Sequence, residues 1–175
     1  MAQLSTLAEI DYSLAGAHPY YCIEVPAILD RLHVKYPDAP LQRVELYYRE
    51  TDTSLASNDG KTLRLNAYWF AADPDFLKDA SRLGRGWHCC LGREPDRVLT
   101  HEFGHSLMES RAGLRQWAKR RWEAATIKPW LAPSGYALVS ADEYFPETFA
   151  ALELKALAQS MQRELVELLA DRSGQ

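Results

Sequence analysis

His101-Glu102-Phe103-Gly104-His105 is the stretch on which the reading of this chain turns. It is an H-E-x-x-H pattern. On an α-helix, residues four apart lie one above the other. Both imidazoles then face the same way and can bind one metal ion, while Glu102 projects from the same helix, where it can act on a water held at that ion. The flanks predict a helix over about residues 95–111. Pro95 suits a first turn, Asp96 favours the positive end of the helix, and Gly113 stops it. Val98, Leu99, Phe103, Leu107 and Met108 supply an apolar face. Gly104, lacking a side chain, lets a neighbouring backbone come close.

Upstream, residues 24–36 show helical spacing through Val25, Ile28, Leu29, Leu32 and Tyr36, with Pro26 near the start and Pro37 after the end. His18 reads as a surface or capping residue. Residues 43–50 and 62–70 alternate apolar and polar side chains and read as two strands. The polar stretch between them contains Asn58-Asp59-Gly60, a turn signal, so the pair is expected to be antiparallel. The second strand is the nearest one upstream of the metal helix. It is either an edge strand, which would hold an extended peptide by main-chain hydrogen bonds, or a core strand with both edges covered. Residues 73–83 predict a short helix capped by Asp73, with Pro74 in first position. His88, Cys89 and Cys90 lie in a compact loop. They are too close together to form a tetrahedral cage without distant partners, and the loop is expected to pack on the metal helix.

Downstream, residues 114–128 form a basic helix with Trp117 and Trp122. Arg111, Arg115, Lys119, Arg120, Arg121 and Lys128 read as a solvated positive face, and an acidic partner along residues 111–128 is the interaction it suggests. From Thr148 onward, Phe149, Leu152, Leu157, Met161, Leu165 and Leu168 keep helical spacing. This predicts a long C-terminal helix.

The bounds are those of an ordinary globular domain. The chain has 175 residues, 47% apolar and 25% charged, which suits one domain spanning 1–175 with a substantial core. A net charge of −4 does not point to nucleic acid. Three cysteines, one adjacent pair among them, make no disulfide framework and suit a reducing compartment. The first residues show neither a basic start nor a long apolar run, so no signal peptide is read, and no stretch approaches membrane-spanning length. The expected location is cytoplasmic.

A catalytic zinc site needs three protein ligands and a position for water. A histidine six residues after His105 would complete one known arrangement, but Arg111 stands there and Met108 occupies the place of the required glycine. Glu123 is off the common glutamate spacings. Glu143 is the better candidate, with Glu147 and Glu123 in reserve. Ser140-x-x-Glu143 is also a capping box, so a purely structural role for Glu143 is open.

The segment Tyr136 to Ala150, taken with His101–His105, resembles the catalytic domain of anthrax lethal factor and its relatives, among them domains of bacteriophage and bacterial toxin proteins. Those carry H-E-x-x-H followed by Y-x(6)-E-[FY]-F-x-E-x-F-A, and Tyr136, Glu143, Glu147, Phe149 and Ala150 fall on that pattern. The resemblance covers about residues 60–160. It implies a zincin-like α+β fold: a small, mostly antiparallel sheet, an active-site helix and a helical C-terminal part. It implies one Zn2+ per chain held by His101, His105 and Glu143. Glu102 would then be the base that takes a proton from the attacking water, Tyr136 would donate to the developing oxyanion, and Glu147 would orient a ligand histidine. The implied activity is hydrolysis of a peptide bond in a protein or peptide substrate, in a phage- or toxin-associated setting. Pro146 departs from the usual alanine and predicts a helix that starts later than in relatives. Three other readings stand beside this one. One is a repressor-cleaving peptidase of the ImmA/IrrE type. The second is a non-catalytic phage or plasmid module that keeps the zinc for stability. The third is an adaptor working through the basic Trp-rich helix, whose binding to nucleic acid would be steeply salt-dependent.

Overall fold

The computed structural model describes residues 9–48, 54–83, 88–90 and 92–170. The elements run β1 (Asp11–Ser13), α1 (Pro19–Lys35), β2 (Arg43–Tyr47), β3 (Ala56–Asn58), β4 (Thr62–Asn66), α2 (Ala67–Phe70), α3 (Pro74–Leu83), α4 (Asp96–Ser110), α5 (Ala112–Ile127), α6 (Ala141–Glu153) and α7 (Gln159–Ala170). Two 3₁₀ turns, Pro129–Leu131 and Tyr136–Leu138, link α5 to α6.

The fold is α+β, but its sheet is not mostly antiparallel. Strand order is β1-β2-β4-β3, with β1/β2 and β2/β4 parallel and only β3/β4 antiparallel. The two strands expected to form an antiparallel pair run parallel, with Val44 opposite Leu63 and Leu46 opposite Leu65. The reason lies in the turn signal. Asn58-Asp59-Gly60 does not join β2 to β4. It closes a hairpin between β3 and β4, with Gly60 at φ 94°, where glycine is the least strained residue. The Asn58 Oδ1 atom accepts from Gly60 N at 2.7 Å, and Asp59 Oδ1 accepts from Thr62 N at 2.8 Å. β4 therefore lies inside the sheet, and β3 is an edge strand, as is β1 on the other side.

Helix boundaries follow local chemistry. α1 begins five residues earlier than its apolar pattern suggests, because the His18 side chain caps it by accepting from Tyr20 N, with Pro19 in first position. Asp73 caps α3 as expected, accepting from Asp75 N at 2.9 Å. The second predicted strand stops at Asn66, whose side chain accepts from Tyr68 N and starts the single turn α2. α4 and α5 are separated by Arg111 alone, and Gly113 lies inside α5 rather than ending α4. The long C-terminal helix is two helices. The chain turns at Lys155, which adopts φ 58°, and Ala156 N bonds back to Ala151 O at 2.7 Å. No helix among the described residues is long and apolar enough to cross a membrane.

Helix α4 is the centre of the packing. It meets α6 most extensively and also touches α1, α5 and β3. Phe103 of α4, Phe149 of α6 and Tyr36 after α1 form one aromatic group, with Tyr36–Phe149 centroids 5.2 Å apart and Phe103–Phe149 6.3 Å apart. Arg111, buried at the α4/α5 corner, is held by both carboxylate oxygens of Asp38 and donates to the Leu169 carbonyl of α7 at 2.8 Å. The positive face expected on α5 is thus partly spent internally: Arg111 pairs with Asp38, Arg115 with Glu109, and Arg121 with Glu164. Lys119, Arg120 and Lys128 are exposed.

The α4/α6 contact is closest at Gly104. A Cβ added there would lie 3.0 Å from Pro146 Cα and 3.3 Å from Pro146 Cβ. A solvent-facing helical Gly→Ala change should gain about 1 kcal/mol from propensity. Forcing a methyl between two packed backbones costs about 1–3 kcal/mol, so the net sign reverses. Gly104→Ala is expected to lower stability in urea or thermal unfolding, and a stabilised variant would contradict this account of the contact.

Candidate metal centre

The two histidines reach the site from consecutive turns of α4, with ring centroids 5.1 Å apart. The third group comes from the first turn of α6. Ser140 caps that helix, its hydroxyl accepting from Glu143 N at 3.2 Å, so the capping-box reading of Ser140 is correct for the backbone. The Glu143 side chain is not used in the cap. Its Oε2 points at α4, 3.0 Å from His101 Nε2 and 3.5 Å from His105 Nε2. Pro146 does not delay the helix, as its sequence position suggested. α6 starts at Ala141 and carries Pro146 in its second turn.

Among the described residues, His101, His105 and Glu143 are the group of side chains placed to hold a metal ion, each offering one donor atom within 4.8 Å of the others. The fit can be tested on two observations. A tetrahedral ion with ligands at about 2.0–2.1 Å keeps its donor atoms roughly 3.3 Å apart, and the two distances from Glu143 bracket that spacing. The second is an orphaned atom. Glu143 Oε2 is buried and makes no well-aligned hydrogen bond, although it lies within reach of both imidazoles. A buried acceptor left so is costly unless another group satisfies it. A cation among these donors would do so.

Glu147, one turn beyond Glu143, lies behind the ligands and is fully buried. Its Oε1 is 3.1 Å from His101 Nδ1 and 3.2 Å from His88 Nδ1. Its Oε2 accepts from Cys89 N at 2.9 Å and from Ser134 Oγ at 2.6 Å. Burial alone would raise its proton affinity, but His101, His88 and Ser134 outweigh this and hold the carboxyl well below the usual carboxylate range. An ionised carboxylate only accepts. It therefore favours the His101 tautomer with the proton on Nδ1, which leaves the Nε2 lone pair facing Glu143.

The charges around the cluster work against one another. Burial opposes a charged His101, yet Glu143 and Glu147 raise it to about 9. Burial pushes Glu143 up, but His101 and His105 bring it down to about 2. A proton on His101 and a metal ion are alternatives for the same lone pair. Glu102 is also buried, and burial raises its carboxyl against the opposing pull of His101 and His105. The Tyr136 ring lies tilted beside both imidazoles, its centroid 4.5 Å from that of His88 and 5.8 Å from that of His101. Its hydroxyl contacts Glu143, and burial together with the Glu143 charge pushes it to about 12.

Three supports of the site carry no motif. Asn58 at the end of β3 donates from Nδ2 to Glu102 O at 2.5 Å and to Ser106 Oγ at 2.8 Å, tying the sheet edge to the metal helix. His88 and Cys89 hold Glu147, so the described part of their loop packs on α6 rather than on α4 as expected. Trp122 of α5 donates to Leu138 O at 3.0 Å and so anchors the turn that carries Tyr136. Any signal for them lies only in an Asn at a strand end and a His-Cys pair ahead of the helix. Glu123 is exposed on α5 and is not brought into the cluster.

Glu143→Ala should abolish retention of the metal after dialysis against a competing chelator, whereas Glu123→Ala should retain it. Glu147→Gln should weaken binding about 10–100-fold by misorienting His101. Equal retention in all three variants would refute this ligand set. No protein-family model, no curated protein and no solved structure matches this chain.

Proposed function

We propose that this protein is a zinc-dependent metallopeptidase that hydrolyses a peptide bond in a protein or peptide substrate. The observation that carries the reading is the convergence of His101, His105 and Glu143 with a buried acid, Glu102, on the metal helix itself. His101, His105 and Glu143 would hold the ion. Zinc bound there would supply Lewis acidity to polarise the scissile carbonyl and acidify the attacking water.

The chain's own residues do the rest. Glu102 takes the proton of the attacking water and passes it to the leaving amine. Burial raises its proton affinity, which suits a group that must first accept and then donate. Tyr136, kept protonated by burial and the adjacent Glu143, is a phenol donor for the oxyanion that develops on the carbonyl. Glu147 fixes the orientation of His101. A tyrosine this close to the ligands favours the lethal-factor-like reading over the ImmA/IrrE-like one.

Strand β3 gives the substrate a place to lie. It is the sheet edge beside α4, and Asn58 fixes it against the turn of α4 that carries Glu102. Leu55 and Asp59 bond across to Asn66 and Thr62, so Ala56 and Asn58 turn their backbone groups outward. An extended peptide can pair with them as an added strand.

Glu102→Gln should retain zinc and lose at least about 10²-fold in turnover of a cleaved peptide. Unchanged cleavage would remove Glu102 from the role of base, and iron rather than zinc in the purified protein would overturn the choice of metal. Ala56→Pro deletes an outward N–H without touching the ladder to β4. It should raise KM about two- to tenfold, the worth of one hydrogen bond, with zinc content unchanged. An unaltered KM would place the substrate elsewhere.

A further inference from the structure

Cys89 and Cys90 take no part in the chemistry above, yet they sit against it. Cys89 is buried and Cys90 half-buried. Cys90 stands at φ 55°, in the left-handed region that a non-glycine residue adopts only when its surroundings hold it there. The Cys89 backbone N–H donates to Glu147 Oε2 at 2.9 Å, and its Sγ–H donates to Glu147 O at 3.5 Å. His88 and Cys89 thus supply Glu147 with two contacts to its carboxylate and one to its backbone carbonyl.

We infer that Cys89 and Cys90 form a reversible vicinal disulfide, a redox modification site that loosens Glu147 and thereby the metal centre.

The geometry and the chemistry agree on this. Adjacent Cα atoms are about 3.8 Å apart across a trans peptide, below the 4.4–6.8 Å usual for a disulfide. A bridge between neighbours is therefore strained, and strained bridges are the easily reduced, regulatory kind. Cys90 is the attacking group, because it is the more exposed thiol, whereas Cys89 is buried with its Sγ–H donated to Glu147 O. With a peroxide as oxidant, the Cys90 thiolate attacks the O–O bond and becomes a sulfenic acid, and one water leaves. Cys89 sulfur then attacks the Cys90 sulfur, the S–S bond forms, and the sulfenic oxygen departs with the Cys89 proton as a second water. Two thiols are oxidised by two electrons, and one peroxide is reduced to two waters. The Cys89 Sγ–H bond to Glu147 O is lost outright. Closing the ring also changes the backbone at Cys89, which moves its N–H away from Glu147 Oε2.

The inference rests on the metal-centre reading only for its last step, so the test has separate arms. Cys22→Ser protein, free of the exposed third thiol, is treated with hydrogen peroxide. The intact mass should fall by two hydrogens, recover with dithiothreitol, and stay unchanged in the Cys22→Ser, Cys90→Ser chain. Oxidation should speed hydrogen exchange at the Cys89 amide about tenfold, with or without metal. Zinc transfer to a chelator should accelerate about tenfold or more, the size expected from losing such an outer support. A gain of oxygen, a disulfide-linked dimer or an unchanged mass overturns the proposal. So does a mass loss that leaves both amide exchange and zinc transfer unaltered. If the reduced chain holds no zinc at all, the metal-centre reading fails by itself, and the mass and amide measurements still decide the redox site.

Discussion

The approach of α6 to α4 is the constraint from which the rest follows. Both donors of α4 face one way, and both carboxylates of α6 face back at them from consecutive turns. The backbones of the two helices also come close, because Gly104 presents no side chain toward α6 and the compact ring of Pro146, which has no N–H, packs there. The aromatic group of Tyr36, Phe103 and Phe149 lies beside this contact and fixes the helices laterally. The same packing that forms the core therefore sets the spacing of the donor atoms.

A second principle orders the site: each charged group is held by another. Glu143 faces the imidazole nitrogens, Glu147 holds His101 from behind, and the 88–90 loop with Ser134 holds Glu147. Burial penalises every one of these ions, and only mutual contact outweighs it. Supporting hydrogen bonds end close to the same groups: Asn58 donates to the carbonyl of Glu102, and Trp122 to that of Leu138, two residues after Tyr136.

What the sequence disclosed is what helical spacing encodes. His101 and His105 lie four apart, as do Glu143 and Glu147, so each pair shares a helix face whatever the rest of the chain does. That the two faces meet needed the longer pattern from Tyr136 to Ala150. The sheet was less legible. Alternation marks β2 and β4 but is silent on direction, and the Asn58-Asp59-Gly60 turn belongs to a hairpin whose other strand, β3, has only three residues. β1 is equally short. The break between α6 and α7 carries neither glycine nor proline. Lys155 takes a left-handed backbone there, so periodicity runs through the bend unmarked. The anchoring of Glu147 by Cys89 depends on a main-chain N–H, a donor that every residue but proline has, and no residue type announces it.

Arg111 gives the architecture a keystone far from the donor atoms. Its guanidinium binds Asp38, which follows α1, and the Leu169 carbonyl near the end of α7. A cation sealed in that corner needs every acceptor it has. The final helix is thus no detachable flap. Unwinding its last turn would strip a buried positive charge of an oxygen and disturb the corner where α4 meets α5, so α7 shares in keeping α4 in place.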